Sequence, residues 1–519
     1  MGVGPQRGKR RPTEVRTLFL LLILQAPIER HILEVEDGRL EDVSVLLDAV
    51  RGPLPRIQRL AARALGRLER PEHAPALLPL LSSPDGGVRR EAVNALGQIG
   101  AQVELRPFLE KEGDAEVRGA LYQTLGRLPQ ADESLLRAGL REAGLPARIG
   151  AAKGLEVFFR RTKTAPSRDT VEALQSAIRE NASPVLRELA LLTLSAAGEA
   201  DPETLRIALQ DPEPQVRRLA VMGLKQWKDD PSFMVRYESL RVAGNCERAE
   251  AALGDPSDHL ALAAVDFLGQ LGRGCTPSAL TRLVDEGGDW RQQARALVSL
   301  AKTSPEAARA RLGRFVAHEK FQARAYAAQA AKLLRDEPGR QRLLRDPNPN
   351  VMAAALATPE EAIPALESND YGLLMEAGER LKGFTEGRRA VPALLAALKR
   401  VSAERRATSR DPRRVILERL AELGDRKLAA EIRPLLSDFD PFIAALAARV
   451  ISEKTGESVM PQTVRFAPTP LPDESFLRKL AGARARIKMR EAGAFTIELL
   501  PQEAPLTVAA FARLAEQGY

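Results

Sequence analysis

The chain has 519 residues, of which 44 % are apolar, 28 % charged and only 4 % aromatic, with a formal net charge of +8. That length exceeds one ordinary core, and the apolar share excludes a disordered chain. Acids and bases interleave, as in EEAIPALESNDYGLLMEAGERLKGFTEGRR, so a solvated mixed-charge surface is expected and nucleic acid is not an expected partner.

The N-terminal stretch, residues 1–27, is a candidate signal segment. Arg7, Lys9, Arg10, Arg11 and Arg16 precede a short apolar run, Leu18 to Leu24. That is the order of an export signal. Gln25-Ala26-Pro27 is a poor cleavage site, and a first helix that merely packs is the competing reading. Export to a periplasmic or extracellular location is therefore the expectation, and the cytoplasm the alternative. No later apolar run approaches the roughly 20 residues of a membrane span.

Residues 28–456 read as a helical repeat. The unit is approximately D-P-x-x-V-R-x-x-A-x-x-x-L-G, as in SSPDGGVRREAVNALGQIG and DPEPQVRRLAVMGL. Its second helix is opened by an apolar residue: Ile57, Val88, Val117, Ile149, Leu186, Val216, Leu260, Trp290, Phe321, Val351, Tyr371, Val415 and Ile443. Most steps are about 29 to 32 residues, a solenoid period. The steps from Val216 to Leu260 and from Tyr371 to Val415 are long and imply insertions or degenerate units. Asp should cap the helix, and Pro suits its first turn. Val88, Ala92 and Leu96 fall on one face, with a small residue where a neighbour must approach. Gly97, Gly126 and Gly269 are expected as C-terminal caps. Stacked units then share a continuous core. The unit resembles the HEAT-like repeat, particularly the short variety also found in phycobilin lyases. The expected fold is therefore mainly α, a HEAT-like α-α solenoid.

The repeated Arg89, Arg118 and Arg217 admit two readings, a basic stripe for a ligand or a ladder to Asp85, Asp114 and Asp211. The ladder fits the spacing better. Cys246 and Cys275 stand at equivalent places one period apart, and could bridge only if their loops lean together. Neither lies in a CxxC or Cys/His cluster, so no zinc site is expected. His31, His73, His259 and His318 are scattered as surface or loop residues, while Trp227 and Trp290 belong to repeat helices. No catalytic, cofactor-binding or metal-binding residue is expected, and no cofactor.

Residues 457–486, with Pro461, Pro468, Pro470 and Pro472, read as a semi-rigid linker containing a short turn of helix, Phe476 to Leu480. Residues 487–519 then change period. Phe495, Ile497 and Leu499 alternate with Thr496 and Glu498, as a strand requires. Ile487 to Arg490 is its hairpin partner, across Glu491-Ala492-Gly493. A helix from Thr507 to Gln517 should bury Val508, Phe511, Leu514 and Ala515. The segments FTIELLPQEAPLTVAAF and RLAEQGY resemble the first strands and first helix of the cyclophilin-type peptidyl-prolyl cis-trans isomerases. The resemblance implies an incomplete β-β-α start of a cyclophilin β-barrel, truncated at Tyr519 and lacking the catalytic part. Not one family catalytic residue can be placed on this sequence. In an intact parent it implies isomerisation of X-Pro bonds without metal or cofactor, on proline-containing client polypeptides held by the solenoid. The alternative is a non-catalytic repeat scaffold for a protein partner. The fragment itself is expected to be inactive, and either loosely ordered or docked on the last repeat.

Overall fold

The computed structural model describes residues 27–180, 183–286, 288–384, 386–462, 471–489, 493–501 and 503–518. The basic and apolar part of the candidate signal segment lies outside them. Two compact units form: Met1–Gly223 together with Ala467–Tyr519, and Leu224–Phe466.

Both units are built from HEAT-like pairs of helices. In the first, short helices such as Arg106–Lys111 and Glu133–Gly139 alternate with longer ones, Pro55–Leu68, Gly86–Ile99, Ala115–Arg127, Leu145–Thr162 and Pro184–Ala197. The second continues in kind from Phe233–Ala243 to Pro441–Thr455. The core lies between the long helices. Val88, Leu186, Val216, Val351 and Ile443 are wholly buried there. Trp290, Phe321 and Tyr371 only half enter it, because these rings exceed the space between close helices, and Ala294, Ala323 and Leu373 are buried instead. Likewise Ala147, not Ile149, opens its helix core.

The three glycines expected as caps sit inside helices. A Cβ on Gly126 would meet the backbone of Gly154 at 2.2 Å from its oxygen and 2.5 Å from its Cα. Gly97 and Gly269 make room for the side chains of Thr124 and Ser299 on the neighbouring helix. They are contact glycines that let neighbouring helices touch. True left-handed caps come later, at Gly100 (φ +69°) and Gly456 (φ +77°).

The Arg ladder exists with different pairings from those expected: Arg89 takes Glu112, Arg118 takes Glu142, and the Asp211 carboxylate takes Arg187. Asp85 and Asp114 stand three residues before the helix opener and accept from backbone N–H groups, as N-caps. The ladder acid stands five before it: Glu112, Asp211, Asp255, Asp346 and Asp438. Arg89 forks onto Glu112 at 2.7 and 2.8 Å. Arg187 takes Asp211 at 2.6 and 2.8 Å, Arg236 takes Asp255, and Arg324 takes Asp346. The remaining Nη1 of Arg89 and Arg236 donates to two carbonyls of its own loop. Arg217 does so too, onto Asp211 and Pro212. One guanidinium thus ties its own turn to the next.

The long step after Val216 holds a helix the periodicity missed, Phe233–Ala243. Its opener Val235 is wholly buried, and DPSFMVR carries the motif. The long step after Tyr371 is a longer first helix, Val391–Ala403, flanked by 3-10 turns. Trp227 is not helical. It lies in a connection, where its indole donates to Asp229 and Arg248 covers its ring. Cys246 and Cys275 are disulfide-bonded, with Cα atoms 5.5 Å apart, so the two loops do lean together.

At the C-terminus a helix, Glu474–Leu480, precedes a hairpin of β1 (Arg484–Lys488) and β2 (Ala494–Glu498) and a helix, Pro505–Glu516. Strand β1 thus begins inside the segment assigned to the linker. Residues 463–470 lie outside the description. The last helix is capped at Ala504 rather than Thr507, because Pro505 already suits its first turn. It buries Val508, Ala509 and Ala512, whereas Leu514 and Ala515 are exposed, since the buried face turns through Val508 and Ala512 and leaves Leu514 and Ala515 outside it.

Two outcomes follow. Arg187→Ala leaves the buried Asp211 carboxylate uncompensated and should cost about 3–5 kcal/mol, against less than about 1 kcal/mol for Arg168→Ala at an exposed pair, by denaturant unfolding. Burial pushes the Glu361 carboxyl up. Arg340 and the amides of Ala357 and Thr358 outweigh that and hold it at about 2. Its folded value lies below the ordinary 4.5, so its contribution is full above pH 4.5 and is lost as pH falls towards 2. Glu361→Gln should flatten the pH dependence of stability in that window, and an unchanged slope would contradict this.

Candidate functional site

Most charged side chains of the repeats are consumed by the ladder and by local pairs. Arg89, Arg118 and Arg217 all bond neighbouring turns, so they do not form a ligand stripe. His259 is exposed against Phe233, and His318 stacks on Phe315. Among the described residues no group of three or more His, Cys, Asp or Glu side chains is arranged to hold a metal ion.

One place gathers charged groups around open space. It lies within the first unit, where the C-terminal segment meets the first repeats rather than the last. Arg30, on the helix spanning 27–38, donates through Nη2 to the Leu471 carbonyl at 2.9 Å and through Nη1 to that of Pro472 at 3.0 Å. Leu471 is buried by this contact. Between the two segments runs a groove of about 610 Å³. Leu33 and Leu60 from the repeats, with Leu477, Pro501 and Pro505 from the C-terminal segment, supply its apolar lining.

Its lining carries both signs, with Glu29, Glu91, Glu474 and Glu503 beside Arg30 and Arg478 and three arginines of one helix face. Arg56, Arg59 and Arg63 recur at helical spacing on Pro55–Leu68. Arg56 pairs with Glu29 at 2.9 Å. Arg63 is largely buried and reaches Glu36 at 3.2 Å and Glu503 at 3.5 Å. Its Nε has no hydrogen-bond partner among the described residues. Arg59 is exposed and enters no ion pair among them. Burial lifts the Glu91 carboxyl above its ordinary value against the pull of Arg63, Arg90 and Arg67. The groove therefore offers the exposed Arg59 guanidinium beside apolar surface, which suits an extended polypeptide with a carboxylate. The spacing in PRIQRLAARALGRL shows the cationic face in sequence. Its opposite wall, contributed from more than 400 residues away, has no local signal.

Residues 43–126 match the model of the HEAT repeats family. No curated protein matches the chain. Among solved structures, the chain is similar to the karyopherin Kap121p bound to the extreme C-terminus of the protein phosphatase Cdc14p, at 12 % identity and a TM-score of 0.41, covering 80 % of this chain and 58 % of that one. It is similar also to Kap121p bound to the SUMO protease Ulp1p, at 12 % identity and a TM-score of 0.41, covering 79 % of this chain and 56 % of that one. The chain spans a little over half the length of these neighbours.

Arg30→Ala removes both bonds to the C-terminal segment. Trypsin should then cut at Arg478, Lys479 and Arg484 at least tenfold faster, with the melting of the repeats little changed. Equal cleavage of both proteins would show that the clamp does not hold the segment.

Proposed function

We propose that the protein is a non-catalytic helical-repeat scaffold that holds an extended segment of a protein partner in the groove between its first repeats and its C-terminal segment. The observation that carries this reading is the groove itself, with the exposed Arg59 outside any ion pair among the described residues, beside Leu33 and Leu60. A repeat array supplies a rigid wall, and such arrays serve mainly as binding surfaces.

A second reading keeps the cyclophilin-type resemblance of residues 487–519. The observed order of hairpin, proline turn and helix favours it. On that reading the scaffold would present proline-containing clients to an isomerase domain. Residues 487–519 contain no His and none of the family's catalytic residues, so isomerase activity is not assigned to this chain. Export is supported by the Cys246–Cys275 disulfide, because such bonds persist in oxidising compartments. Alkylation without reduction, on protein taken directly from cells, would label neither cysteine if this holds.

The binding test uses a displayed library of short peptides selected against the whole protein. Enriched sequences should carry an acidic residue flanked by apolar ones, and Arg59→Glu with Leu60→Asp should weaken them at least tenfold at unchanged melting temperature. Failure to enrich any sequence, or equal binding to the double variant, would sink the groove reading. A prolyl isomerisation assay on the same protein should stay at the uncatalysed rate, and turnover would revive the second reading.

A further inference from the structure

The hairpin carries a surface that the groove does not use. Strands β1 and β2 pair in the register Arg484↔Glu498 to Lys488↔Ala494. The Met489 N–H donates to the Gly493 carbonyl at 2.8 Å, and the Leu499 N–H to that of Ala483 at 2.9 Å. These two bonds fix the phase of the ladder. Ala483, Ala485, Ile487 and Met489 turn their backbone groups towards β2. Arg484, Arg486 and Lys488 turn theirs outward, where the described sheet has no further strand.

The side chains sort just as sharply. Arg484, Arg486 and Lys488 share one face, all exposed, and none enters an ion pair among the described residues. Ala485 and Ile487 share the other face with Ile497 and Phe495, and Phe495 remains 50 % exposed. An open edge with three aligned cations above it and an apolar strip below is a template for strand addition.

We propose that the outer edge of β1 binds an extended segment of a partner protein in which acidic and apolar residues alternate, added as a third antiparallel or parallel strand. The partner's backbone takes the outward groups of Arg484, Arg486 and Lys488. Its carboxylates lie beside those three cations, and its apolar side chains cover Ala485 and Ile487. The charge pattern selects β1 over β2, whose outward residues are Ala494, Thr496 and Glu498.

The test measures fluorescence anisotropy of a labelled ten-residue peptide of alternating Glu and Val against the whole protein. Binding is expected. The triple variant R484E/R486E/K488E should weaken it at least tenfold and should instead take up a Lys–Val peptide. Arg486→Pro removes an outward N–H without touching the β1–β2 bonds and should weaken the Glu–Val peptide. Melting curves establish that each variant is folded. Absence of binding would mean that the cations only blunt the edge against self-pairing, and would overturn the proposal. So would binding indifferent to charge reversal. Sedimentation showing a dimer that Arg486→Pro dissociates would assign the edge to a second copy and overturn it equally. All of these measurements are made in an Arg59→Glu/Leu60→Asp background, which disables the groove, so that the edge alone is read.

Discussion

The arginine that follows the helix opener is the constraint on which the stack depends. Its fork takes the acid of the next loop while its remaining nitrogen takes carbonyls of its own loop. Both contacts need a planar guanidinium, which lysine cannot supply. A buried pair such as Arg187–Asp211 adds little net stability over well-packed apolar groups, because both charges lose water. What it does impose is geometry. An Ala and Leu seam tolerates sliding, since its side chains are small and alike. A bidentate bond does not, so the ladder sets how far each helix pair advances over the last. The contact glycines act together with it: at Gly126 and Gly154 the two backbones touch, and any Cβ would push the rungs apart.

Sequence conveyed the local part of this design. The Val88–Ala92–Leu96 spacing, the Asp caps and the Arg period all arise within one unit, so they repeat where the unit repeats. The disulfide was legible as an equivalence of position, though not as a bond. Sequence was misleading wherever one residue type serves two places. Asp at three residues before the opener caps a helix, and Asp at five takes an arginine, yet both read as D in a loosely aligned motif. Gly near a helix end reads as a cap, yet Gly97 and Gly269 serve contacts with a neighbouring helix that only the fold brings near. Phe233–Ala243 was missed because its unit is short, although Val235 and Arg236 stand in the expected order.

The C-terminal segment shows the same limit from the other side. Alternation in Ala494–Glu498 is a local property and its strand forms. Where the segment docks depends on which surface offers donors to its carbonyls, and Arg30 does so from the far end of the chain. No periodicity encodes that meeting.

This difference in origin separates two kinds of stability in one unit. Repeat stacking is nearest-neighbour, so each pair is held by the pair beside it and the array resists opening along its length. The groove wall is held by a few long-range contacts: two bonds from Arg30, a 3.5 Å pair between Arg63 and Glu503, and a short apolar strip. Such an element opens at lower free energy than the array it rests on. One wall of the groove can therefore open while stacking keeps the other fixed. The rigid half sets where the Arg59 guanidinium points, and the lightly held half supplies the facing apolar wall.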